Sequence, residues 1–381
     1  MRNRDLRAIS AALAVLAVMA GAPCGASGPA TGPGATSPAT TQAVEEYPQA
    51  ALGEYPRAAL AGPDGAGGAL NAKVYLPDAA RGFYRGSRFD WSGIVAEVRW
   101  NGHVFFGPIH ERHDPLRHDG AQGTPEEFGM DSPLGYDEAG AGPPGPWAGG
   151  AGETFVKIGV GELRRPDDGK YAFNRSYEIA RAGEWKVRAE RSAITFEQDF
   201  AGPRGWAYRY VKVVALAGPN GAGDGPRMTI RRALKNTGGK AIRTDHYGHN
   251  FVAIDGEASL GPGWRVEFPF ELQTESFKDR GVSRIEGRSL VFTGELGKGQ
   301  SVFAVLKGFQ KAEDARARVV SAKSGAAVTI RLDRAPAKMV VYALNPALCP
   351  EMFVAIDLEP GKEMEWTTTY EFGPAESGAR P

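Results

Sequence analysis

Residues 363–372, EMEWTTTYEF, place Met364, Trp366, Thr368, Tyr370 and Phe372 at one parity and Glu363, Glu365, Thr367, Thr369 and Glu371 at the other. Side chains alternate faces along a strand, so this run predicts one apolar face and one wet face. A helix would scatter both sets around its circumference. Strand signals recur at 94–100 (IVAEVRW), 154–160 (TFVKIGV), 193–200 (AITFEQDF), 206–216 (WAYRYVKVVAL), 228–236 (MTIRRALKN), 301–309 (SVFAVLKGF), 327–332 (AVTIRL) and 338–344 (KMVVYAL). Gly, Pro and Asn turns separate them, and no segment carries a long, capped helical period. The chain therefore reads as all-β. So many antiparallel-looking strands predict a large β-sandwich of packed sheets rather than a small barrel.

The N-terminus does not belong to that pattern. MRNRDLR is followed by the apolar run AISAALAVLAVMAGA, too short to span a bilayer unaided and suited to a cleavable leader, so residues 1–26 are expected to be a signal peptide. The mature chain is then expected in the periplasm or outside the cell. Cys24 is preceded by Pro23 and has no Leu three positions before it, which makes GAPC a poor lipidation signal. Residues 27–68 are rich in Gly, Pro, Ala, Thr and Ser, cannot offset the entropy of ordering, and are expected to form a disordered tether. Within it EYPQAALG (46–53) is followed by EYPRAALA (54–61), read here as a spacer. Residues 69–375 are expected to be one folded domain, with the Gly/Pro-rich stretch 139–152 a long surface loop.

Lys and Arg balance Asp and Glu at 45 each, and loss of the leader leaves a chain near −2. Such a charge exerts no general pull on nucleic acid or on anionic lipid. Cleavage after Ala26 leaves Cys349 as the one cysteine, so no intramolecular disulfide is expected.

The histidines fall in two groups, His103, His110, His113 and His118 in one and His246 and His249 in the other. HERHDPLRHD (110–119) offers His110, His113, His118, Asp114 and Asp119 as metal ligands, but the spacing matches no common zinc motif and a solvated polar loop is the simpler reading. In TDHYGHNF (244–251) regular alternation sends His246 and His249 to opposite faces, unless Gly248 breaks the strand as a bulge.

The run MTIRRALKNTGGKAIRTDHYGHNFVAIDG (228–256) resembles the aldose 1-epimerase, or galactose mutarotase-like, superfamily. His249, Phe251 and Gly256 stand at the places of that superfamily's histidine, aromatic and glycine. LCPEMFVAIDLEPGKEMEWTTTYEF (348–372) is similar to its ending, with Glu351 at the place of the catalytic glutamate and Leu358, Pro360 and Gly361 at the turn. RFDWSGIVAEVRWNGHVFFG (88–107) looks like its opening strands. RHDGAQG (117–123) approaches its His-Gly-Gly loop, with His118 a loose match, and no residue matches the aspartate that holds the sugar.

The resemblance implies a galactose mutarotase-like supersandwich and an aldose 1-epimerase-like isomerase acting on a sugar or oligosaccharide. It implies Glu351 as base and His249 as acid, with no metal or organic cofactor. His249 and Glu351 are expected to face each other across a sugar-wide gap of roughly 5–8 Å, so that each reaches a different oxygen of one substrate, with His246 turned away. His118, Tyr247 and Phe251 are the expected sugar contacts, joined by Arg88 and Asp90, which would share a strand face that Phe89 does not. Two other readings stand beside this one. They are a polysaccharide lyase or glycosidase-like enzyme on the same scaffold, and a non-catalytic glycan-binding protein.

Overall fold

The consecutive strands Ala347–Leu358 and Glu363–Pro374 belong to different sheets, so the turn between them carries the chain across a sandwich. The computed structural model describes residues 55–65, 68–110, 112–142, 152–219 and 225–376. The expected leader, the first copy of the repeat and most of the loop 139–152 lie outside the described residues.

In spatial order, one sheet of six strands runs Gln273–Lys278, Ser301–Lys307, Lys338–Leu344, Ala347–Leu358, Ile242–Gly248 and Glu126–Phe128. A second sheet of ten strands has Ala326–Leu332, Glu363–Pro374, Arg227–Asn236 and Ala207–Ala217 at its centre. The paired strands are antiparallel. Two smaller sheets, of four and three strands, complete the chain as described. The fold is the expected all-β sandwich.

Alternation explains what the sandwich encloses. Val302, Ala304, Leu306, Val341, Val354 and Ile356 of the six-stranded sheet share one buried cluster with Ile230, Leu234, Trp366 and Tyr370 of the ten-stranded sheet. Residues of opposite parity leave by the outer face of the six-stranded sheet. There Tyr247, Val340 and Phe353 form one apolar cluster, and Ile109, Phe251, Ala347 and Cys349 form another. A strand of a sandwich normally turns its outer face to water; this one is covered, which is the first sign of a site.

The domain begins earlier than composition suggests. The second copy of the repeat contains a strand, Arg57–Ala61, that pairs with Asn71–Tyr75 in the register Ala58↔Val74 and Leu60↔Ala72. Ala58 and Leu60 are 1% and 2% exposed. Residues 57–61 are therefore not tether. The small residues that lower the apparent hydrophobicity of this stretch are what lets the strand pack closely, and Tyr55 before it sits edge-on to Phe83 and His113.

Candidate functional site

Strand register brings the first two groups together. The strand Ile242–Gly248 pairs with Ala347–Leu358 as Ile242↔Leu358 through His246↔Val354, and the isolated bridge Val252↔Leu348 keeps the same register beyond the strand's end. That register places His249 directly opposite Glu351. Their side chains meet, with His249 Nδ1 2.8 Å from Glu351 Oε1. The expected gap of 5–8 Å is thus corrected. Residues directly opposite on antiparallel strands have Cβ atoms only about 4.5–5.5 Å apart, so they touch rather than face each other across a cleft. Gly248 introduces no bulge, because Tyr247, His249 and Phe251 all stay on the outer face while His246 and Asn250 turn inward.

A residue absent from the expectations organises the site. Glu127, in the short strand Glu126–Phe128, is opposite Tyr247 in register and fully buried. It accepts hydrogen bonds from Arg88 Nε at 2.8 Å, Lys157 Nζ at 3.1 Å and the Tyr247 hydroxyl at 2.8 Å. His249 Nε2 lies 3.3 Å away. Lys157 spends its other protons on Gly129 O at 2.9 Å and the Tyr171 hydroxyl at 3.0 Å, which matches the three donors of an ammonium. Burial alone would push the Glu127 carboxyl up, but the Lys157 and Arg88 charges and the His249 contact outweigh it and hold Glu127 well below the usual range. Placement of this strand depends on Gly123, whose φ is +73° and where a Cβ would overlap the Val95 carbonyl.

Both nitrogens of His249 therefore face carboxylate oxygens, which when ionised only accept. The ring must carry two protons. Burial works against the imidazolium, yet the Glu351 charge and the hydrogen bonds the ring donates to Glu127 and Glu351 prevail and raise its pKa above 6.5. Phe89 sits edge-on to the imidazole at 4.9 Å and Phe251 stacks on it at 5.8 Å, fixing the ring plane. Cys349, two residues before Glu351 and on the same strand face, places Sγ 3.5 Å from Glu351 Oε1.

The remaining expected contacts divide. Arg88 reaches the site but spends its Nε on Glu127, approaches the Tyr247 hydroxyl at 3.4 Å, and sets its guanidinium over the rings of Phe89 and Phe173 at 4.8 and 4.5 Å. Tyr247 and Phe251 are 1% and 3% exposed and serve to hold Glu127 and His249. His118 keeps 29% of its side chain exposed beside Asp119 and is the expected contact most open to solvent. Asp90 is a correction. Residues 88–90 are not a strand, so Arg88 and Asp90 share no face, and Asp90 instead joins a second buried network with Ser92, Tyr210 and Lys212. Glu126 anchors that network through Arg232 and Lys212, on the opposite face of its strand from Glu127. Of the histidines of 110–119, His110 and His118 both face Asp119, whereas His113 turns to Phe83. His110 pairs with Asp119 at 3.2 Å, while His113 binds the Phe83 carbonyl at 2.7 Å and stacks on that ring.

An open cleft of about 830 Å³ lies beyond Ile109, lined by His110, Arg112, Arg117, Lys298 and Leu344 among others. Ile109 lines the cleft and packs in the cluster with Phe251 and Cys349, while neither His249 nor Glu351 is among the residues that line it.

No protein-family model and no curated protein matches the chain. Solved structures do. The GalM/aldose epimerase homologue from C. elegans is 14% identical with a TM-score of 0.51, over 84% of this chain and 100% of that one. The galactose mutarotase related enzyme from Lactobacillus acidophilus is 12% identical with a TM-score of 0.48, over 81% and 97%. A galactose mutarotase-like protein from Lactobacillus casei ATCC 334 is 12% identical with a TM-score of 0.47, over 83% and 100%. The likeness to the C. elegans structure gives the chain the galactose mutarotase-like fold. At these identities the likeness concerns the backbone, and the chemistry has to be argued from the site.

Proposed function

We propose that this chain is an exported carbohydrate-active isomerase that interconverts sugar anomers, with Glu351 as general base and His249 as general acid. The observation that carries the reading is the buried 2.8 Å contact between His249 Nδ1 and Glu351 Oε1. It joins an acid held protonated to a carboxylate on the scaffold of the mutarotase-like fold. In the reaction Glu351 takes the proton of the anomeric hydroxyl, C1–O1 becomes a carbonyl as the C1–O5 bond breaks, and O5 takes a proton from His249. Rotation about C1–C2 and reversal of the steps give the other anomer. The net proton change is zero, since reversal returns the O5 proton to His249 and the Glu351 proton to O1.

Glu127 is a positioning residue in this reading: its charge keeps His249 protonated, and Arg88, Lys157 and Tyr247 keep Glu127 in place. Sugar would approach from the side of His118 and the 830 Å³ cleft. Export rests on the leader expected in residues 1–26, and an exported product whose mass begins at Ser27 tests it.

One observation favours a second reading, a glycan-binding protein without turnover: the acid and base are closed on each other, at 5% and 6% exposure. Glu351→Gln separates the two. Anomer interconversion followed by NMR on a panel of free aldoses should fall by about 10²–10⁴-fold in the variant if Glu351 is the base. A parent protein that binds glycans but accelerates no anomer interconversion establishes the second reading instead.

A further inference from the structure

The acid and base leave Cys349 without a task, yet its sulfur stands among them. The Cys349 sulfur, a ring nitrogen of His249 and an oxygen of Glu351 all lie within 4.8 Å of one another, and no other such group of potential metal ligands occurs among the described residues. We propose that Cys349, His249 and Glu351 form a binding site for a soft divalent metal ion, with zinc as the representative, and that the bound ion holds the acid and base out of action.

The donors are set by the strands rather than by loops. Cys349 and Glu351 are two apart on one face of Ala347–Leu358, and His249 is opposite Glu351 in the extended register. Zinc bonds of about 2.0–2.1 Å to nitrogen and oxygen and about 2.3 Å to sulfur imply ligand-to-ligand edges of roughly 3.3–3.7 Å in a tetrahedron. The Sγ to Oε1 edge is already 3.5 Å. The Nδ1 to Oε1 edge is 2.8 Å and would open by about half an ångström, the change expected when an ion replaces a shared proton. A mixed set of thiolate, imidazole and carboxylate suits zinc and excludes the hard cations, which take oxygen.

A second, independent feature lies behind the histidine. A ligating imidazole commonly gives its other N–H to a carboxylate, which fixes the tautomer and strengthens the ligand. With Nδ1 on the metal, His249 Nε2 points at Glu127 Oε2, 3.3 Å away. Glu127 is in turn held by Arg88, Lys157 and Tyr247. The protein thus supplies three donors and the outer carboxylate, leaving the fourth position to water. Protons balance as follows: the ion displaces one from the Cys349 thiol and one from the His249 imidazolium, Glu351 enters as a carboxylate, and the occupied site is neutral. Because the ion takes the Nδ1 and Oε1 that would otherwise exchange protons with a sugar, metal and turnover exclude each other.

Cobalt(II) titration of the chelator-treated, reduced protein tests this without reference to any reaction. The expected result is one equivalent bound, a thiolate-to-cobalt charge-transfer absorption with the intense visible bands of tetrahedral coordination, about two protons released into weak buffer, and displacement by zinc. Cys349→Ser should abolish the charge-transfer band and weaken binding at least about tenfold, and Glu127→Gln should keep the band while weakening binding about 10–100-fold. Circular dichroism and thermal melts establish that each variant is folded. Saturation without a thiolate band, parent-like affinity in a folded Cys349→Ser variant, or failure of the folded parent to bind cobalt or zinc would overturn the proposal. A chain that binds cobalt in this way but turns over no sugar retains the metal site and loses the isomerase reading, so the two fail separately.

Discussion

His246 and His249, three residues apart, lie on opposite faces of one sheet in opposite charge states. The Nδ1 of His246 accepts a hydrogen bond from Trp366 Nε1 at 3.1 Å. Tryptophan only donates, so that nitrogen carries a lone pair and the ring is neutral. His249 has a carboxylate on each nitrogen and is an imidazolium. The same division runs through the neighbouring strand Glu126–Phe128, where Glu126 serves the interior network of Arg232 and Lys212 and Glu127 serves the site. A strand period of two converts neighbouring residues of similar type into members of separate networks.

The neutral state of His246 gives the fold an acid limit. Burial pulls its pKa from 6.5 to about 4, against the attraction of Glu126 at 3.4 Å and with the repulsion of Arg232 and Lys212. The unfolded histidine binds a proton near pH 6.5 while the folded one resists until about pH 4, so its contribution is fully present above 6.5 and is lost as pH falls toward 4. At 1.36 kcal/mol per pKa unit this amounts to about 2 kcal/mol between pH 7 and pH 5. Urea unfolding at both pH values should show the loss in the parent, and His246→Gln should remove a comparable part of the slope. An unchanged slope in the variant would place the acid sensitivity elsewhere.

Glu127 should be worth more to stability than Glu351. It is fully buried against Arg88, Lys157 and His249, so Glu127→Ala leaves two or three buried cations without their counter-charge. Breaking a buried pair in this way costs about 3–5 kcal/mol. Glu351→Gln keeps an amide oxygen facing His249 Nδ1 while Glu127 still faces Nε2, and should cost about 1–2 kcal/mol. Denaturant unfolding of the two variants ranks them; an equal or reversed order would mean that Glu127 is not the centre of the network.

The sandwich was legible in the sequence because its strands run as isolated alternating segments between turns, and the alternation of 363–372 is seen in the burial of Trp366, Tyr370 and Phe372. The opposite faces of His246 and His249 were legible for the same reason. Their distances to partners were not, because register between residues about 100 apart is set by pairing and not by local pattern: His249 opposite Glu351 at 2.8 Å follows from Ile242↔Leu358 and from nothing near His249 itself. Glu127 and Lys157 are not legible in the sequence because a buried carboxylate in TPEEFG reads like a surface one until its cations, 39 and 30 residues away, are brought to it. The clue available was the pair Glu126-Glu127 in so short a strand, one of which had to point inward. Asp90 departs from the expected strand face because bends at 86–89 break the alternation before it.

The tandem repeat makes the last prediction, because its second copy is structural. In EYPRAALA, Ala58 and Leu60 are buried and Arg57–Ala61 covers the edge of Asn71–Tyr75. Removing the strand would uncover Val74 and Ala72 and open a row of unpaired backbone groups along that edge. The loss of a buried leucine alone costs about 2–5 kcal/mol, so a chain that starts at Gly62 should be at least about 3 kcal/mol less stable than one that starts at Tyr55. The first copy, EYPQAALG, repeats the same apolar parity eight residues earlier, with Ala50 and Leu52 in the places of Ala58 and Leu60. Since eight is even, moving it into the slot keeps the same faces. Internal deletion of 54–61 should therefore leave a domain within about 1 kcal/mol of the parent, the cost of Gln49 and Gly53 where Arg57 and Ala61 stood. Deletion of both copies, 46–61, should show the full loss. Melting curves of the three deletions decide it: a 54–61 deletion as unstable as the double deletion would show that the second copy cannot be replaced, and a Gly62 start as stable as the Tyr55 start would show that the strand contributes nothing.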